Sequence, residues 1–457
     1  MNIIIVGCGK VGYTLAGQLV EAGHNITIID TSAERLEPAQ ALDVQLIVGN
    51  GTSFRVQHEA DIESADLLIA VTDQDEINLL SCLIAGKSSR CRTAARVRSP
   101  QYYEEISYIR QCMGTSLIIN PEFASAVEID HLIRIPSAME VDTFAKGRVE
   151  LLKMVIPQGS VLDGMAVPEF SRRFDRQVLV CILGRGREFF IPNGETVLRS
   201  GDAIYIILPP KLVNHFCHVS GLPARPLTNV MIAGGGTISY YLARRLLRSG
   251  VSVKIIEKNA TRCEFLSEQL PGADIIYGDA ADHDMLLEEG LAGTDAFVAL
   301  TGLDEENIFL SLYANHAAPK AKKITKNNRL DLTEIAVDLP VGSLISPKEI
   351  TAEYISRFVR SQQDNYSSDI EAVYRLAGGQ VEALEFAVRD ESDITGVPLA
   401  ALPLKKGLLL CCIVRNGQII TPGGRDTVEK GDIVVVVTVH KNLNDIRDIL
   451  EHPVGRR

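Results

Sequence analysis

Along the first quarter of the chain, two kinds of segment alternate. Some are short runs of consecutive apolar residues, and in the others apolar residues recur every three or four positions. The runs are rich in Ile, Val and Leu throughout, which is typical of parallel strands covered on both faces. The segment 10–22 places Val11, Leu15 and Leu19 on one face of a helix. The pattern predicts a doubly wound α/β sheet with crossover helices. The predicted strands are Ile3–Val6, Ile26–Ile29, Val44–Val48, Leu67–Thr72, Ala94–Val97 and Leu117–Ile119.

A different pattern follows from Glu150 to Leu208, where short strands are separated by turn sequences such as Pro192-Asn193-Gly194. This density of turns, with one or two short helical stretches, predicts a small α+β lobe. Pro121 suits a first helical turn, and we expect it to begin a helix that bridges the sheet and this lobe. Pro347 is expected to do the same later in the chain.

The whole arrangement occurs twice. Ile4–Gly12 returns as Val230–Ser239, and the strand that follows ends on an acid in both copies, Asp30 and Glu257. The β-rich lobe recurs as well, so a module of about 225 residues is present in tandem. The predicted fold is α/β, with tandem Rossmann-like doubly wound parallel sheets that are each followed by a small α+β lobe. The predicted domains are 1–134, 135–225, 226–365 and 366–457.

Composition narrows the class of protein. The 457 residues carry a formal net charge of −12 without a basic tail, and 5% are aromatic with no Trp, which argues against a nucleic-acid-binding protein. The purest apolar run, Ile433 to Val437, is far too short to span a bilayer. The N-terminus lacks the pattern of a signal peptide, and nine cysteines without a Cys-x-x-Cys pair fit a reducing cytosol. We therefore expect a cytoplasmic protein.

A glycine-rich loop follows the first predicted strand and opens a helix. Gly7 permits the tight turn, Gly9 allows the backbone to approach a pyrophosphate, and Gly12 lets the helix pack close to the sheet. The free N–H groups at the helix start then face the phosphates. Asp30 ends the second strand, where a carboxylate can accept hydrogen bonds from both ribose hydroxyls. Because an acid there disfavours a 2′-phosphate, the loop predicts binding of NAD(H) or an adenine nucleotide rather than NADP.

The second copy of this loop is weaker. Gly234 and Gly236 are kept and Glu257 replaces Asp30, but Ser239 stands where the third glycine is expected. The second loop is therefore either a second nucleotide site or a structural element only.

Other candidate binding residues follow later strands, because open sheets bind ligands at the carboxyl ends of their strands. In the first copy these are Gly51 and Thr52, Asp73 and Gln74, and Arg98, for which pyrophosphate binding and a solvated surface role both stay open. In the second copy they become Asp279 and Ala280, then Gly302 and Leu303, with Lys326 expected as the counterpart of Arg98.

The sequence contains no recognisable set of catalytic residues. A dehydrogenase needs a proton-transfer group facing the nicotinamide, and neither lobe offers a His–acid or Tyr–Lys pair. His215, Cys217 and His218 do not share one helical face and lack a fourth ligand, so they do not predict a metal site. The sequence predicts binding sites with no catalytic residues and no metal.

Taken together, the glycine loop, Asp30, Gly49-Asn50-Gly51-Thr52, Val71-Thr72-Asp73 and Ala95-Arg96-Val97-Arg98, followed by a β-rich lobe and a second copy of everything, resemble a known family. It is the tandem RCK/KTN nucleotide-binding family, the regulators of potassium conductance, and specifically its Trk-type potassium-uptake regulatory subunits. The resemblance covers essentially the whole chain.

The resemblance implies a cytoplasmic regulatory subunit that is peripheral on the inner face of the cell membrane. It implies that the subunit binds NAD(H), and that ATP or ADP are further candidate ligands. It also implies that rearrangement of the lobes gates a Trk-type membrane potassium-translocating subunit. It also implies a homo-oligomer, a dimer or a tetramer ring. The alternatives are an NAD-dependent oxidoreductase and a free cytosolic nucleotide sensor. The nucleotide-contacting positions that the glycine pattern and the resemblance assign are Gly7, Cys8, Gly9, Lys10, Val11, Gly12, Asp30, Gly51, Thr52, Asp73, Gln74, Arg98, Gly234, Gly235, Gly236, Thr237, Ile238, Glu257, Asp279 and Ala280.

Overall fold

The computed structural model of the chain describes residues 1–145, 147–328, 339–362, 370–441, 443 and 445–451, with the side chains of 360–362 left aside. The chain forms two compact units. The first unit contains Met1–Asp130 and Leu227–Phe358, and the second contains His131–Pro226 and Val359–Arg457. Like parts of the two repeats therefore share a unit. The four domain boundaries expected from the sequence remain predictions.

A six-stranded parallel sheet with the order β3-β2-β1-β4-β5-β6 forms the first half of the first unit, which confirms the doubly wound fold. Its strands are β1 (Asn2–Val6), β2 (Asn25–Asp30), β3 (Gln45–Val48), β4 (Leu67–Ala70), β5 (Arg92–Arg96) and β6 (Leu117–Ile119). Its helices are α1 (Lys10–Glu21), α2 (Ala33–Leu36), α3 (Phe54–Glu59), α4 (Asp75–Ser88), α5 (Pro100–Glu104), α6 (Ile106–Met113) and α7 (Pro121–Arg134).

The predicted strands of this sheet are all present, with small differences at their ends. β4 ends at Ala70 rather than Thr72. The cause is a side chain: the Thr72 amide donates 2.8 Å to Oδ1 of Asn78 on α4 instead of continuing the ladder. The helix expected from 10 to 22 is α1, and Val11, Leu15 and Leu19 are buried on its inner face.

The second half of the first unit repeats this sheet in the order β14-β13-β12-β15-β16-β17. Its strands are β12 (Asn229–Ala233), β13 (Ser252–Glu257), β14 (Asp274–Tyr277), β15 (Ala296–Ala299), β16 (Lys322–Lys326) and β17 (Ser343–Ile345). Its helices are α10 (Thr237–Arg248), α11 (Ala260–Gln269), α12 (His283–Glu288), α13 (Asp304–Ala317) and α14 (Pro347–Gln362).

Helix α10 of the second repeat packs directly on the first repeat. Its Tyr241 ring meets Phe123 edge-on at 5.5 Å between centroids, and the Asn120 amide donates to the Tyr241 hydroxyl at 3.0 Å. Arg245 donates through Nη2 to Asp130 at 2.7 Å, and Asp130 is fully buried. A buried carboxylate held by a cation across an interface is costly to separate. The two parallel sheets therefore form one packed unit.

The second unit contains two five-stranded antiparallel sheets, in the orders β10-β9-β11-β8-β7 and β18-β19-β22-β20-β21. In both, an arginine binds the aspartate that precedes the central strand: Arg185 with Asp202 and Arg415 with Asp432. The strands are β7 (Glu140–Phe144), β8 (Val149–Val155), β9 (Leu179–Arg185), β10 (Glu188–Phe190), β11 (Ala203–Leu208), β18 (Ile370–Leu376), β19 (Val381–Ala387), β20 (Leu408–Arg415), β21 (Gln418–Ile420) and β22 (Ile433–Thr438). The helices are α8 (Val167–Arg173) and α9 (Val213–Val219).

Candidate functional site

The first glycine loop has the geometry that its sequence predicts. Gly7 adopts a φ of +103°, a conformation that favours glycine, and a Cβ there would lie 3.0 Å from the Thr72 amide nitrogen. Gly12 lies on the buried face of α1, where a Cβ would lie 1.9 Å from the Gly7 carbonyl oxygen. The helix thus approaches the loop as closely as backbone atoms allow, and both glycines are required by packing.

Gly9 differs from these two glycines. It is the N-cap of α1, and no described heavy atom lies within 4 Å of the position that a Cβ would take there. Packing within the chain therefore does not require glycine at this position. A ligand that approaches the backbone closely would require it, and the N–H groups of a helix start suit an anionic ligand.

Asp30 holds the loop in place. The carboxylate is buried at the end of β2, where Oδ2 accepts from the Cys8 amide at 2.7 Å and Oδ1 accepts from the Ser32 amide at 2.9 Å. Each oxygen keeps further acceptor capacity for a ribose hydroxyl. Asp30 therefore has a structural role in addition to the expected one.

A cavity of about 460 Å³ opens in front of this loop, within the usual size range of small-molecule sites. It brings together seven of the predicted residues, which are Gly7, Gly9, Lys10, Val11, Asp30, Asp73 and, from the second repeat, Ile238. It also brings in Lys326, which was expected as the counterpart of Arg98, and charged and amide side chains that were not predicted as binding residues: Arg35, Arg96, Glu122, Asn328 and Lys348. The cavity is therefore lined by both repeats.

Cations outnumber carboxylates in this lining, five to three, in a chain of net charge −12. Arg96 and Glu122 are both mostly buried and lie 3.5 Å apart. Burial lowers the pKa of the Arg96 guanidinium and raises that of the Glu122 carboxyl, while their mutual attraction opposes both shifts. Within the described part of the chain, Nε of Arg96 and Oε2 of Glu122 have no hydrogen-bond partner. These buried polar atoms remain available to a ligand.

The remaining first-copy candidates lie outside the cavity lining. A Cβ on Gly51 would lie 2.2 Å from Cγ1 of Val6, so packing explains this glycine, and Thr52 belongs to a turn closed by Asn50. Gln74 is the exposed N-cap of α4. Cys8 and Gly12 are both buried, so they support the loop within the chain and do not line the cavity.

Arg98 folds back on its own repeat. Its guanidinium donates to the Asp73 carbonyl, and its backbone amide donates 2.9 Å to the buried Asp75 carboxylate. Asp75 also accepts from the Ser99 amide at 2.8 Å. Asp75, at the start of α4, thus anchors the turn after β5.

The second glycine loop is built differently. Gly234 keeps a positive φ of +97°, but the Ser239 hydroxyl donates to its carbonyl at 2.5 Å, where the first copy has bare backbone contact. Glu257 accepts from the Gly235 amide at 2.7 Å, as Asp30 does from Cys8. Arg262 donates through Nε to the Gly235 carbonyl at 2.7 Å. The Arg262 guanidinium therefore lies against the backbone of this loop.

The other second-copy candidates are spread around this loop. Gly236 is the exposed N-cap of α10, which begins at Thr237. Asp279 closes a turn by accepting from the Ala281 amide at 3.0 Å, and Ala280 is buried. Of the second-copy candidates, the lining of the described cavity includes Ile238.

The expected equivalence of Lys326 with Arg98 is wrong. Asn78 donates through its amide to the Arg96 carbonyl at 2.9 Å, and Asn307 donates in the same way to the Lys326 carbonyl at 3.1 Å. Arg98 is instead matched by Asn328, because their amides bind the paired acids Asp75 and Asp304. The offset between the two copies rises from 229 residues at Asn78 and Asn307 to 230 at Arg96 and Lys326, so Arg98 corresponds to residue 328.

The TrkA-N domain matches residues 3–121 and 230–347, and the TrkA-C domain matches residues 151–221 and 383–451. Over 98% of its length the chain is 33% identical to the whole of the Trk system potassium uptake protein TrkA homolog of Archaeoglobus fulgidus. It is 32% identical to the Trk system potassium uptake protein TrkA of Vibrio alginolyticus, over 99% of each chain.

The chain belongs to the TrkA family. This confirms the resemblance to tandem RCK proteins of Trk potassium uptake, with N- and C-type domains alternating twice. Among solved structures, the GsuK RCK domain superimposes with a TM-score of 0.63 at 16% identity, covering 95% of this chain and 92% of that one. The GsuK channel bound to NAD gives 0.62 at 16% identity, covering 96% and 76%. At this identity the likeness establishes the shared fold.

The sequence named Ile238 and Lys326 of the second repeat as candidates, but it did not predict that the second repeat lines the same cavity as the first glycine loop. Lys326 ends β16, and Lys348 is the second residue of α14, both positions at which α/β sheets present ligand-binding groups. That positional signal was available. Which repeat these residues face depends on how the two sheets pack, and no local pattern encodes this. Among the described residues, no cluster could hold a metal ion and no helix could cross a membrane.

The two glycines of the loop give a matched test of this geometry. Gly12→Ala should lower the free energy of unfolding by about 2 kcal/mol, because its methyl group overlaps the Gly7 carbonyl. Gly9→Ala should cost less than about 1 kcal/mol, because its methyl group meets open space. Urea unfolding of both variants measures the difference. Equal losses of stability would contradict the described approach of α1 to the loop.

Proposed function

We propose that the chain is a nucleotide-binding regulatory subunit of a Trk-type potassium uptake system. It acts on the cytoplasmic face of the membrane and controls the flux of a membrane potassium-translocating subunit. The observation that carries this proposal is the cavity in front of the first glycine loop, in a chain of the TrkA family. A cationic cavity at the start of a helix suits the phosphates of NAD(H), ATP or ADP.

Further support comes from the shared fold. GsuK, whose fold this chain has, is a channel solved bound to NAD and also bound to ADP. In the present chain, the nucleotide-contacting residues are proposed to be the twenty positions assigned above, with the seven that line the cavity at the centre of the site. The second loop has Arg262 against the Gly235 carbonyl, so we propose that it binds nucleotide more weakly than the first.

Regulation follows from linkage. A ligand shifts an equilibrium between two arrangements only if it binds them with different affinities. A nucleotide in the cavity touches residues of both repeats, so its binding free energy depends on how the repeats are arranged. In a homo-oligomer, a dimer or a tetramer ring, such changes would add and be transmitted to the membrane subunit. No catalytic step is required, and the nucleotide is released unchanged.

Isothermal titration of the full chain with NADH and with ATP tests the site. Asp30→Asn should weaken both by about tenfold, because an amide nitrogen that cannot accept a hydrogen bond replaces one carboxylate oxygen and the negative charge that strengthens a ribose hydrogen bond is lost. Asp43→Asn, an exposed acid of the same repeat, is the control and should leave affinity unchanged. Equal affinity of wild type and Asp30→Asn would overturn the site assignment.

Capture from detergent-solubilised membranes tests the partner. The tagged chain should co-purify with a multi-span potassium-translocating protein. Recovery of soluble partners alone would contradict the transport assignment.

An absorbance assay tests for catalysis. Added NADH should keep its absorbance during incubation with the chain, because the chain does not oxidise it. Steady loss of NADH with a small oxidisable or reducible substrate would favour the oxidoreductase alternative.

A further inference from the structure

Both antiparallel sheets of the second unit carry an irregularity at the same place. In β9 the pairing with β11 skips Cys181, because both of its neighbours pair with consecutive residues of β11. In β20 the pairing with β22 skips Cys411 in the same way. Each cysteine is therefore the extra residue of a β-bulge, a feature that turns a side chain away from the regular alternation of its strand.

The two cysteines occupy equivalent positions in the two sheets. Cys181 lies four residues before Arg185, and Cys411 lies four residues before Arg415. These arginines bind the aspartates that precede the two central strands. Each thiol also donates to the carbonyl oxygen two residues before it, at 3.6 Å in β9 and 3.5 Å in β20. The bulge and its cysteine are thus a repeated feature of the chain.

The two sheets pack against each other through the strands that carry these cysteines. β9 and β20 are in contact, and Cys181 and Cys411 are fully buried in one apolar core to which both sheets contribute. Phe144 and Tyr374 join this core from opposite sheets, with 4.2 Å between their ring centroids. Because equivalent strands face each other, equivalent residues meet, and the Cys411 thiol is hydrogen-bonded to the Cys181 thiol. The two thiols form a pair across the interface of the sheets.

Burial keeps this pair in its reduced form under ordinary conditions. Loss of solvation raises the pKa of the Cys411 thiol well above its usual range, and the contact with Cys181 raises it further. A protonated and buried thiol reacts slowly with oxidants, because the thiolate is the nucleophile. A small oxidant reaches the pair only when the interface opens locally.

We propose that Cys181 and Cys411 are an oxidation site, at which hydrogen peroxide forms a disulfide between the two antiparallel sheets. One sulfur attacks a peroxide oxygen, the O–O bond breaks, and the leaving hydroxide takes the thiol proton, which gives a sulfenic acid and one water. The second sulfur attacks the sulfenic sulfur, the S–S bond forms and the S–O bond breaks. The departing oxygen leaves as the second water with the remaining thiol proton. Two thiols lose two electrons, and one peroxide gains them.

The disulfide has two physical consequences. It joins residues that are far apart in the sequence, so it restricts the unfolded chain and stabilises the second unit. It also fixes the two sheets relative to each other, which prevents any rearrangement that requires them to separate. Neither consequence depends on the proposed nucleotide binding, which concerns the parallel sheets of the first unit.

Thiol counting and peptide mapping of the full chain test the site. Cys112→Ser serves as the background, because it removes a cysteine that is exposed to oxidants. After prolonged exposure to hydrogen peroxide and alkylation of the remaining thiols in denaturant, two thiols should be lost, and one cross-linked peptide pair should contain Cys181 and Cys411. Cys181→Ala and Cys411→Ala should each abolish this cross-link. Cys412→Ala changes the adjacent cysteine of the same buried core and should leave it intact.

Thermal unfolding provides an independent measurement. The oxidised chain should unfold at a higher temperature than the reduced chain, and a thiol reductant should reverse the shift. Cys181→Ala and Cys411→Ala should show no difference between the two conditions, whereas Cys412→Ala should keep the difference. Cys181→Val and Cys411→Val fill the space of the thiol if an alanine variant loses its fold.

Two results would overturn the proposal. The first is a disulfide that joins other cysteines, such as Cys411 with Cys412, in place of the expected pair. The second is retention of both thiols after exposure to peroxide just below the unfolding temperature, where the interface opens most often. Both results come from the chain with Cys181 and Cys411 in place, so they do not depend on the folding of a variant at the site. Either would leave the proposed nucleotide binding untouched.

Discussion

The contact between helix α1 and the carbonyl of Gly7 is the constraint on which the candidate site depends. A methyl group on Gly12 would lie 1.9 Å from that oxygen, so the helix can start this close to β1 only with glycine at both positions. This approach sets the direction of the helix start, places Gly9 at an open surface and lets the Asp30 carboxylate hold the loop through the Cys8 amide.

The two halves of the chain share one fold and differ at the positions around their glycine loops. Where the first loop is open, the second has Ser239 bonded to Gly234 and Arg262 bonded to Gly235. Pro121 and Pro347 begin the equivalent helices α7 and α14, so Lys348 stands in the second repeat where the first has Glu122. The contacts of α10 with Asn120 and Asp130 keep the repeats together, so that the side chains of one can complete the site of the other. A single chain with two different halves can thus form an asymmetric site that two identical chains cannot.

Much of the architecture could be predicted from the sequence, because it depends on local patterns. The buried strands, the α1 face with Leu15, and the glycine loop with Asp30 all follow from periodicity and spacing. The cavity as a whole could not be predicted in this way. That Lys326 and Lys348 face the first glycine loop is a consequence of how two sheets pack, and that Arg98 turns back to Asp73 depends on the buried Asp75. The equivalence of Lys326 with Arg96 required the hydrogen-bond pattern of Asn78 and Asn307.

A structure of the full chain determined with ATP bound tests the central claim most directly. The account predicts the nucleoside beside Asp30 and the phosphates over Gly9 and the start of α1. ATP bound away from the first glycine loop would contradict it.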